Sequence, residues 1–381
     1  MGFLEELRAY PEERVREWVD RSTEADVLRA LERIEDREPR DFAALLSPAA
    51  VPHLEAMAQQ AHRLTRWHFG RTIGLYAPIY ISNICGADCT YCGYAVRSGN
   101  RERRRTLTDA ELRVECEALA SRGFQSVLLL TGEAPRAVSP AQIAHAVSIA
   151  YEHFPSVSVE VYALDQDEYA MLEEHGVDGV TLYMETYHPE TYQRVHLKGK
   201  KKEYGYRLDA LERAGRAGAR RLGVGALLGL FDWRIDGFWT ILHARYLQRV
   251  CWQSAVSMSF PRLLHVPERF HVPHLLTDKE LVQLILAARL CLPEAGFYLS
   301  TRERAAFRDR LIPLGVTMMS AGSSTRPGGY AIYGEETLEQ FEIEDDRSPE
   351  VVAEVIRRAG YDPVWKDFDR AFQGIQASVA E

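Results

Sequence analysis

The chain has no long hydrophobic run, no excess of positive charge and little cysteine, and each shortage excludes something. No segment approaches the roughly eighteen uninterrupted apolar residues of a membrane-spanning helix. The stretch Met1 to Arg8 lacks the basic region and apolar core of a secretory signal. No membrane partner is expected, and the protein is expected in the cytoplasm with its thiols reduced. Lys and Arg number 46 against 55 Asp and Glu, a formal charge of −9. That sign is wrong for neutralising a phosphate backbone, so nucleic acid is not expected either. The apolar share, 46%, is ordinary for a globular chain, and 381 residues suffice for one large barrel with additions.

Against that scarcity, three of the six cysteines, Cys85, Cys89 and Cys92, fall within eight residues. Cys116, Cys251 and Cys291 are scattered through apolar, helix-like stretches and read as core. Thiolates spaced four and then three apart in a loop can fold around one soft metal centre, an iron-sulfur cluster or zinc. The plain alternatives are a chance grouping or a disulfide, although three is an odd number for pairing. Zinc asks for a fourth ligand, and only Asp88 stands nearby. On a four-iron cube, three thiolates would leave one iron open to a small molecule.

Residues 3 to 70 read as helices. Ala25, Leu28, Leu31 and Ile34 repeat with helical period, as do Leu54, Met57, Ala58, Ala61, Leu64 and Trp67. From Leu75 the rhythm becomes short apolar runs separated by amphipathic segments, with strands expected at 75–82, 125–130, 157–162, 178–183, 221–227, 255–260, 296–300 and 315–319. Eight strands alternating with helices predict a complete parallel (β/α)₈ barrel. The expected division is a helical N-terminal extension (1–72), the barrel (73–330) and a C-terminal extension (331–381) with a helix over 349–359 and a polar tail.

After each run comes a polar or glycine residue: the cysteines, Gly132-Glu133, Tyr162, Glu185, Gly229, Pro261-Arg262, Arg302 and Ser320. The C-terminal ends of barrel strands carry the active site, so these positions should converge on one cavity. Arg302 is the best candidate for anchoring a substrate carboxylate, because a planar guanidinium grips it with two parallel hydrogen bonds, unless neighbouring Glu303 merely neutralises it. Ser320 is a candidate contact for a substrate amino group. The run Lys198 to Lys202 has the composition of a solvated loop.

The cysteine spacing, with Tyr91 just before the last cysteine, resembles the signature of the radical S-adenosylmethionine (SAM) enzymes. Tyr80 to Asn83, Thr131 to Glu133, Glu185 to His188, His196 to Lys201, Ser259 to Arg262, Leu299 to Glu303 and Pro327 to Tyr330 resemble, in the same order, the 2-iminoacetate synthases, tyrosine lyases of thiamine-thiazole biosynthesis. The likeness runs from about Ser47 to about Phe368. It implies a 4Fe-4S cluster on Cys85, Cys89 and Cys92, with SAM bound by Tyr91, Gly132, Glu133 and Arg207. The last three meet its amino and carboxylate groups.

The glycines Gly223, Gly225 and Gly229 would then let backbone approach the adenosine, and the Lys198 to Lys202 loop would lie over the site or face a partner. The implied reaction splits L-tyrosine into 2-iminoacetate and 4-cresol. Thiazole synthase would receive the imine, and a flavodoxin or ferredoxin would donate electrons. Rival implications are a tryptophan lyase, or the tyrosine lyase of hydrogenase maturation, which carries a second cysteine cluster near its C-terminus. Outside that class the rival is a zinc-binding structural module.

Overall fold

The computed structural model describes residues 2–34, 36–98 and 103–366. The polar tail from 367 onward lies outside the described residues. Among the described residues nine parallel strands carry the fold: β1 (Thr72–Ser82), β2 (Ser126–Thr131), β3 (Ser156–Glu160), β4 (Val177–Thr181), β5 (Arg221–Gly225), β6 (Ala255–Ser259), β7 (Gly296–Leu299), β8 (Met318–Ser320) and β9 (Asp362–Val364). β2 to β8 lie side by side in chain order, and β1 pairs with both β2 and β8. The sheet thereby closes into the eight-stranded barrel that the alternation of runs implied.

Between strands, capping residues start the helices. The hydroxyls of Thr108, Ser139 and Thr277 each accept from a backbone N–H three residues on, while Glu111, Gln142 and Glu280 reach back in return. Inside the barrel, side chains alternate with the pleat. Ser156 and Ser158 donate to Asp178 at 2.7 and 3.0 Å, and Arg221 reaches the same carboxylate at 3.0 Å, so a polar plug fills the lower barrel. Burial raises the Asp178 pKa, but Arg221 and Arg220 outweigh that and hold it below the usual carboxylate range.

The N-terminal helices pack on the barrel's outer ring. Phe3 stacks on His243 with ring centroids 4.1 Å apart, and Gln283 donates to the Leu45 and Ser47 carbonyls at 3.0 and 2.8 Å. Two details differ from the sequence expectation. Helix Glu24–Glu32 forms, but it buries Val27 and Ala30, leaving Ala25, Leu28 and Ile34 exposed. Trp67 is likewise exposed at the end of helix Leu54–Phe69. The second difference is β9, which follows helix Pro349–Arg358 and pairs with the lower end of β1 at Thr72 to Gly74. Among the described residues no helix is long and apolar enough to cross a membrane.

Candidate active site

β1 delivers the cysteine loop to the barrel mouth, and neighbouring elements fix it by backbone bonds. Gly86 N–H donates to the Glu133 carbonyl at 2.8 Å, Thr90 N–H to Val195 at 3.0 Å and Lys198 N–H to Ala87 at 2.9 Å. Asn83 anchors the approach, donating to the Arg103 and Leu338 carbonyls at 3.1 Å each and accepting from Arg105 N–H at 2.7 Å. Cys85, Cys89 and Cys92 are all free and all line one cavity at the mouth. Tyr91 is pinned beside them. His196 Nδ1 bonds the Tyr192 carbonyl at 2.9 Å, so its Nε2 accepts from the Tyr91 hydroxyl at 2.9 Å. Burial drives the His196 pKa well below its usual value, and Lys201 and Arg207 add to the effect, which keeps the imidazole neutral.

This donor set suits a cluster better than zinc. Asp88, the carboxylate within the cysteine loop, adopts φ +53° and is taken by Arg97, which donates to it from Nε at 3.1 Å and Nη2 at 3.0 Å. Those bonds lower its pKa to about 2. Among the described residues no group of three or more His, Cys, Asp or Glu is arranged to hold a single metal ion. Three thiols without a fourth ligand fit a multi-iron cluster, in which each sulfur takes its own iron.

Around the cysteines stand the residues expected for SAM. Gly132 is forced by proximity: a Cβ there would meet the Ile84 carbonyl oxygen at 2.3 Å and Cys85 Cβ at 2.9 Å. Its bareness therefore serves the cysteine loop itself. Glu133 Oε1 accepts from Lys201 N–H. Glu185, at φ +70°, holds a conformation rare for a residue with a side chain. Its carboxylate pairs with Lys201 Nζ at 2.7 Å and Arg207 Nη2 at 3.5 Å. Burial raises the Glu185 pKa, yet those two cations outweigh it and hold Glu185 ionised. Arg207, within helix Tyr204–Leu208, is buried and donates from Nε to the Tyr183 carbonyl at 2.9 Å. The lysine-rich run is thus not wholly solvated: it folds over the mouth, and Lys201 is drawn in because Glu185 awaits a counter-charge.

Arg302 and Ser320 line the same cavity. The Arg302 guanidinium carbon lies 3.4 Å from the centroid of the Phe341 ring, and no carboxylate among the described residues pairs with it. Glu303 does not neutralise it. Its carboxylate turns away and takes Arg262, with Nε to Oε1 at 2.8 Å, while Asp278 holds the same guanidinium at 3.0 Å. Ser320 Oγ accepts from Thr301 N–H at 3.1 Å. Tyr162 reaches the wall, but its hydroxyl is spent on the Val138 carbonyl at 2.7 Å.

The glycines of β5 face protein. A Cβ on Gly223 would meet Thr181 Oγ1 at 2.4 Å, and one on Gly225 the Ser259 carbonyl oxygen at 2.3 Å. They let barrel strands pack. Sequence reasoning missed Glu160 and Tyr183 as cavity residues, and did not single out Lys201 within the loop that the resemblance places over the site. For Glu160 a signal existed, the alternation Ser156, Val157, Ser158, Val159, Glu160, which puts every second side chain inside the barrel.

With this geometry in place, comparison with known proteins is decisive. The Radical SAM superfamily model matches residues 79–244, and the Biotin and Thiamin Synthesis associated domain matches 259–362. Over 352 residues, 92% of each chain, the sequence is 46% identical to the 2-iminoacetate synthase of Escherichia coli (strain K12). The chain belongs to the 2-iminoacetate synthase family. It is also 43% identical to the Salmonella typhimurium enzyme of that name over 368 residues, 96% of this chain and 97% of the relative. Among solved structures, HydG, a maturase of the [FeFe]-hydrogenase, superposes with a TM-score of 0.87 at 30% identity, covering 93% of this chain and 80% of that one. Methylornithine synthase (PylB) superposes with a TM-score of 0.69 at 21% identity, over 91% of this chain and all of that one, a likeness of fold alone. Membership of the family carries with it a 4Fe-4S cluster and SAM as cofactors.

Proposed function

We infer that this chain is a radical SAM lyase that cleaves the Cα–Cβ bond of L-tyrosine, giving 2-iminoacetate and 4-cresol for the thiazole of thiamine. The observation that carries the reading is the meeting, at one barrel mouth, of three free cysteines and an arginine with no carboxylate partner among the described residues, in a chain 46% identical to a 2-iminoacetate synthase. When bound, the cluster and SAM supply a 5′-deoxyadenosyl radical that removes one hydrogen atom from the substrate.

Cys85, Cys89 and Cys92 hold the cluster. Tyr91, Gly132, Glu133 and Arg207 form the SAM site, Glu133 toward the amino group and Arg207 toward the carboxylate. Arg302 grips the tyrosine carboxylate, and Ser320 sits near its amino group. Both are catalytic residues in that they fix which hydrogen faces the radical. A displacement of about 1 Å in such a pose costs roughly a hundred-fold in rate. Lys201 and its loop close the mouth above Glu133 and Glu185 and keep water away from the reactive carbon. Residues 1–72 and 331–381 act as extensions around a barrel of 73–330. Thiazole synthase is the partner that takes the imine, a flavodoxin or ferredoxin is the electron donor, and the protein works in the cytoplasm.

Anaerobic turnover with tyrosine and tryptophan in parallel tests the reading. Brown protein with iron and sulfide that makes 4-cresol from tyrosine supports it. A tryptophan-derived product would move the chain to the tryptophan lyases, and colourless protein with stoichiometric zinc would make it a structural module.

A further inference from the structure

Beneath the mouth, Glu160 ends β3 with its carboxyl in the cavity, above the Asp178–Arg221 plug. No hydrogen bond or ion pair among the described residues engages it. The groups facing it come from every side: Tyr76 and Tyr80 from β1, Tyr183 and Glu185 beyond β4, Lys201 and Arg207 from the covering segment, and Arg302 beyond β7. Burial pushes all three tyrosine hydroxyls far above their usual range, so none is a base. Glu185 is committed to Lys201 and Arg207, and Glu133 accepts from Lys201 N–H. Across from the substrate anchor Arg302, Glu160 is therefore, among the described residues, the cavity carboxyl left without a partner.

On the tyrosine lyase reading, a substrate whose carboxylate rests on Arg302 brings an ammonium one carbon away, and an ammonium entering a shielded cavity needs an anion. We propose that Glu160 is the acid-base residue of the reaction, taking one proton from the tyrosine ammonium and returning it to the cresol methylene. The chemistry closes. The zwitterion gives a proton to the Glu160 carboxylate, leaving an amine whose lone pair can stabilise loss of a hydrogen atom. That atom ends in 5′-deoxyadenosine. The Cα–Cβ bond breaks, one electron going to the new C=N bond and the other to the 4-hydroxybenzyl fragment. A second electron from the same low-potential donor, with the proton from Glu160, converts that fragment to 4-cresol. Glu160 ends as it began, and no proton crosses to solvent.

Its proton affinity suits both halves. Burial, with Glu185 adding, raises the Glu160 pKa against the pull of Arg302, Arg207 and Lys201, to about 7. A base needed in its ionised form then makes turnover rise as pH rises through that value.

The test uses the holoenzyme with Glu160→Gln and Glu160→Asp, matched to wild type in iron content and melting. Infrared difference spectra at pH 8, taken on adding tyrosine to oxidised, SAM-loaded enzyme, should show a protonated carboxyl in wild type and none in E160Q. Cresol formation by E160Q should fall by roughly a hundred- to ten-thousand-fold and lose the acidic limb of its pH profile. E160D should keep the limb, at a rate lowered by up to about a hundred-fold, as a carboxylate drawn back by one methylene would. The proposal is overturned if wild type shows no new carboxyl band, if E160Q keeps wild-type turnover or its acidic limb, or if E160D loses the limb as E160Q does. Wild-type enzyme that makes no cresol at all would instead end the tyrosine lyase reading, and the infrared band would still decide whether Glu160 takes the ammonium proton.

Discussion

Replacing Gly132 with alanine tests whether the cysteine loop is held against the end of β2 by contact of backbone with backbone. The added Cβ would sit 2.3 Å from the Ile84 carbonyl oxygen, 2.9 Å from its carbon and 2.9 Å from Cys85 Cβ. None of these is a flexible side-chain end. To reach ordinary contact the loop must retreat by about 1 Å at the residue that carries the first cysteine, and overpacking of this kind costs about 1–3 kcal/mol. The loop is tied by Gly86 to the Glu133 carbonyl and by Gly132 N–H to Ser82, so the retreat also disturbs Glu133.

A shift of that size at a reacting centre lowers the rate by roughly a hundred-fold. Gly132→Ala should therefore melt earlier and cleave SAM about two orders of magnitude more slowly, while the barrel still folds. The matched control is Gly205→Ala in helix Tyr204–Leu208, where nothing lies within 4 Å of the new Cβ. That change should leave stability level or raise it by about 0.5–1 kcal/mol. The assay is 5′-deoxyadenosine formation with excess reductant, alongside iron per chain and the melting midpoint. A Gly132→Ala enzyme with wild-type cleavage and melting would refute the close approach.

Cys89→Ala should lose cluster iron and SAM cleavage together, whereas Cys116→Ala, buried in helix Asp109–Ser121, should cost about 1 kcal/mol of stability and leave cleavage intact. Iron retained by the Cys89 variant would reject the ligand set. Arg302→Lys should still cleave SAM but release 5′-deoxyadenosine in excess of cresol, since lysine keeps the charge and loses the fork. A wild-type product ratio would move the carboxylate clamp elsewhere, and Arg262, already held by Glu303 and Asp278, is a poor replacement.

Asp236 offers a pH test away from the site. Burial raises its pKa to about 7, and Oδ2 has no partner among the described residues although Oδ1 accepts from Tyr187 N–H at 2.8 Å. A raised folded-state value means stability that is full below the unfolded value near 4 and lost as pH rises toward 7. Asp236→Asn should gain on wild type over that interval, on the order of 2–4 kcal/mol by pH 8, in denaturant midpoints. A difference that does not change with pH would show that Asp236 stays ionised in the fold.

Much of this was legible in the sequence, for physical reasons that also mark where legibility stops. Strand rhythm and the spacing of Cys85, Cys89 and Cys92 are local properties, and both carried through to barrel and loop. Which face of Glu24–Glu32 is covered depends on how the next segments, Pro39–Leu46 and Pro48–His53, fold back on it, and its mixed surface allowed two answers. Whether Glu303 neutralises Arg302 was open in the sequence, and it is decided by geometry: successive residues leaving a strand point to opposite sides, so Arg302 enters the cavity while Glu303 meets Arg262. Lys201 is half-buried only because Glu185, on another element, draws it in. Three residues, Asp362 to Val364, are too short a run to announce β9.

Turnover in deuterium oxide tests the radical cleavage of tyrosine most directly, because amino hydrogens exchange with solvent while those on carbon do not. Oxygen-free enzyme given SAM, reductant and tyrosine should yield 5′-deoxyadenosine carrying one deuterium, in step with 4-cresol. Unlabelled 5′-deoxyadenosine formed in step with product would put the abstracted hydrogen on carbon and contradict the substrate pose on Arg302.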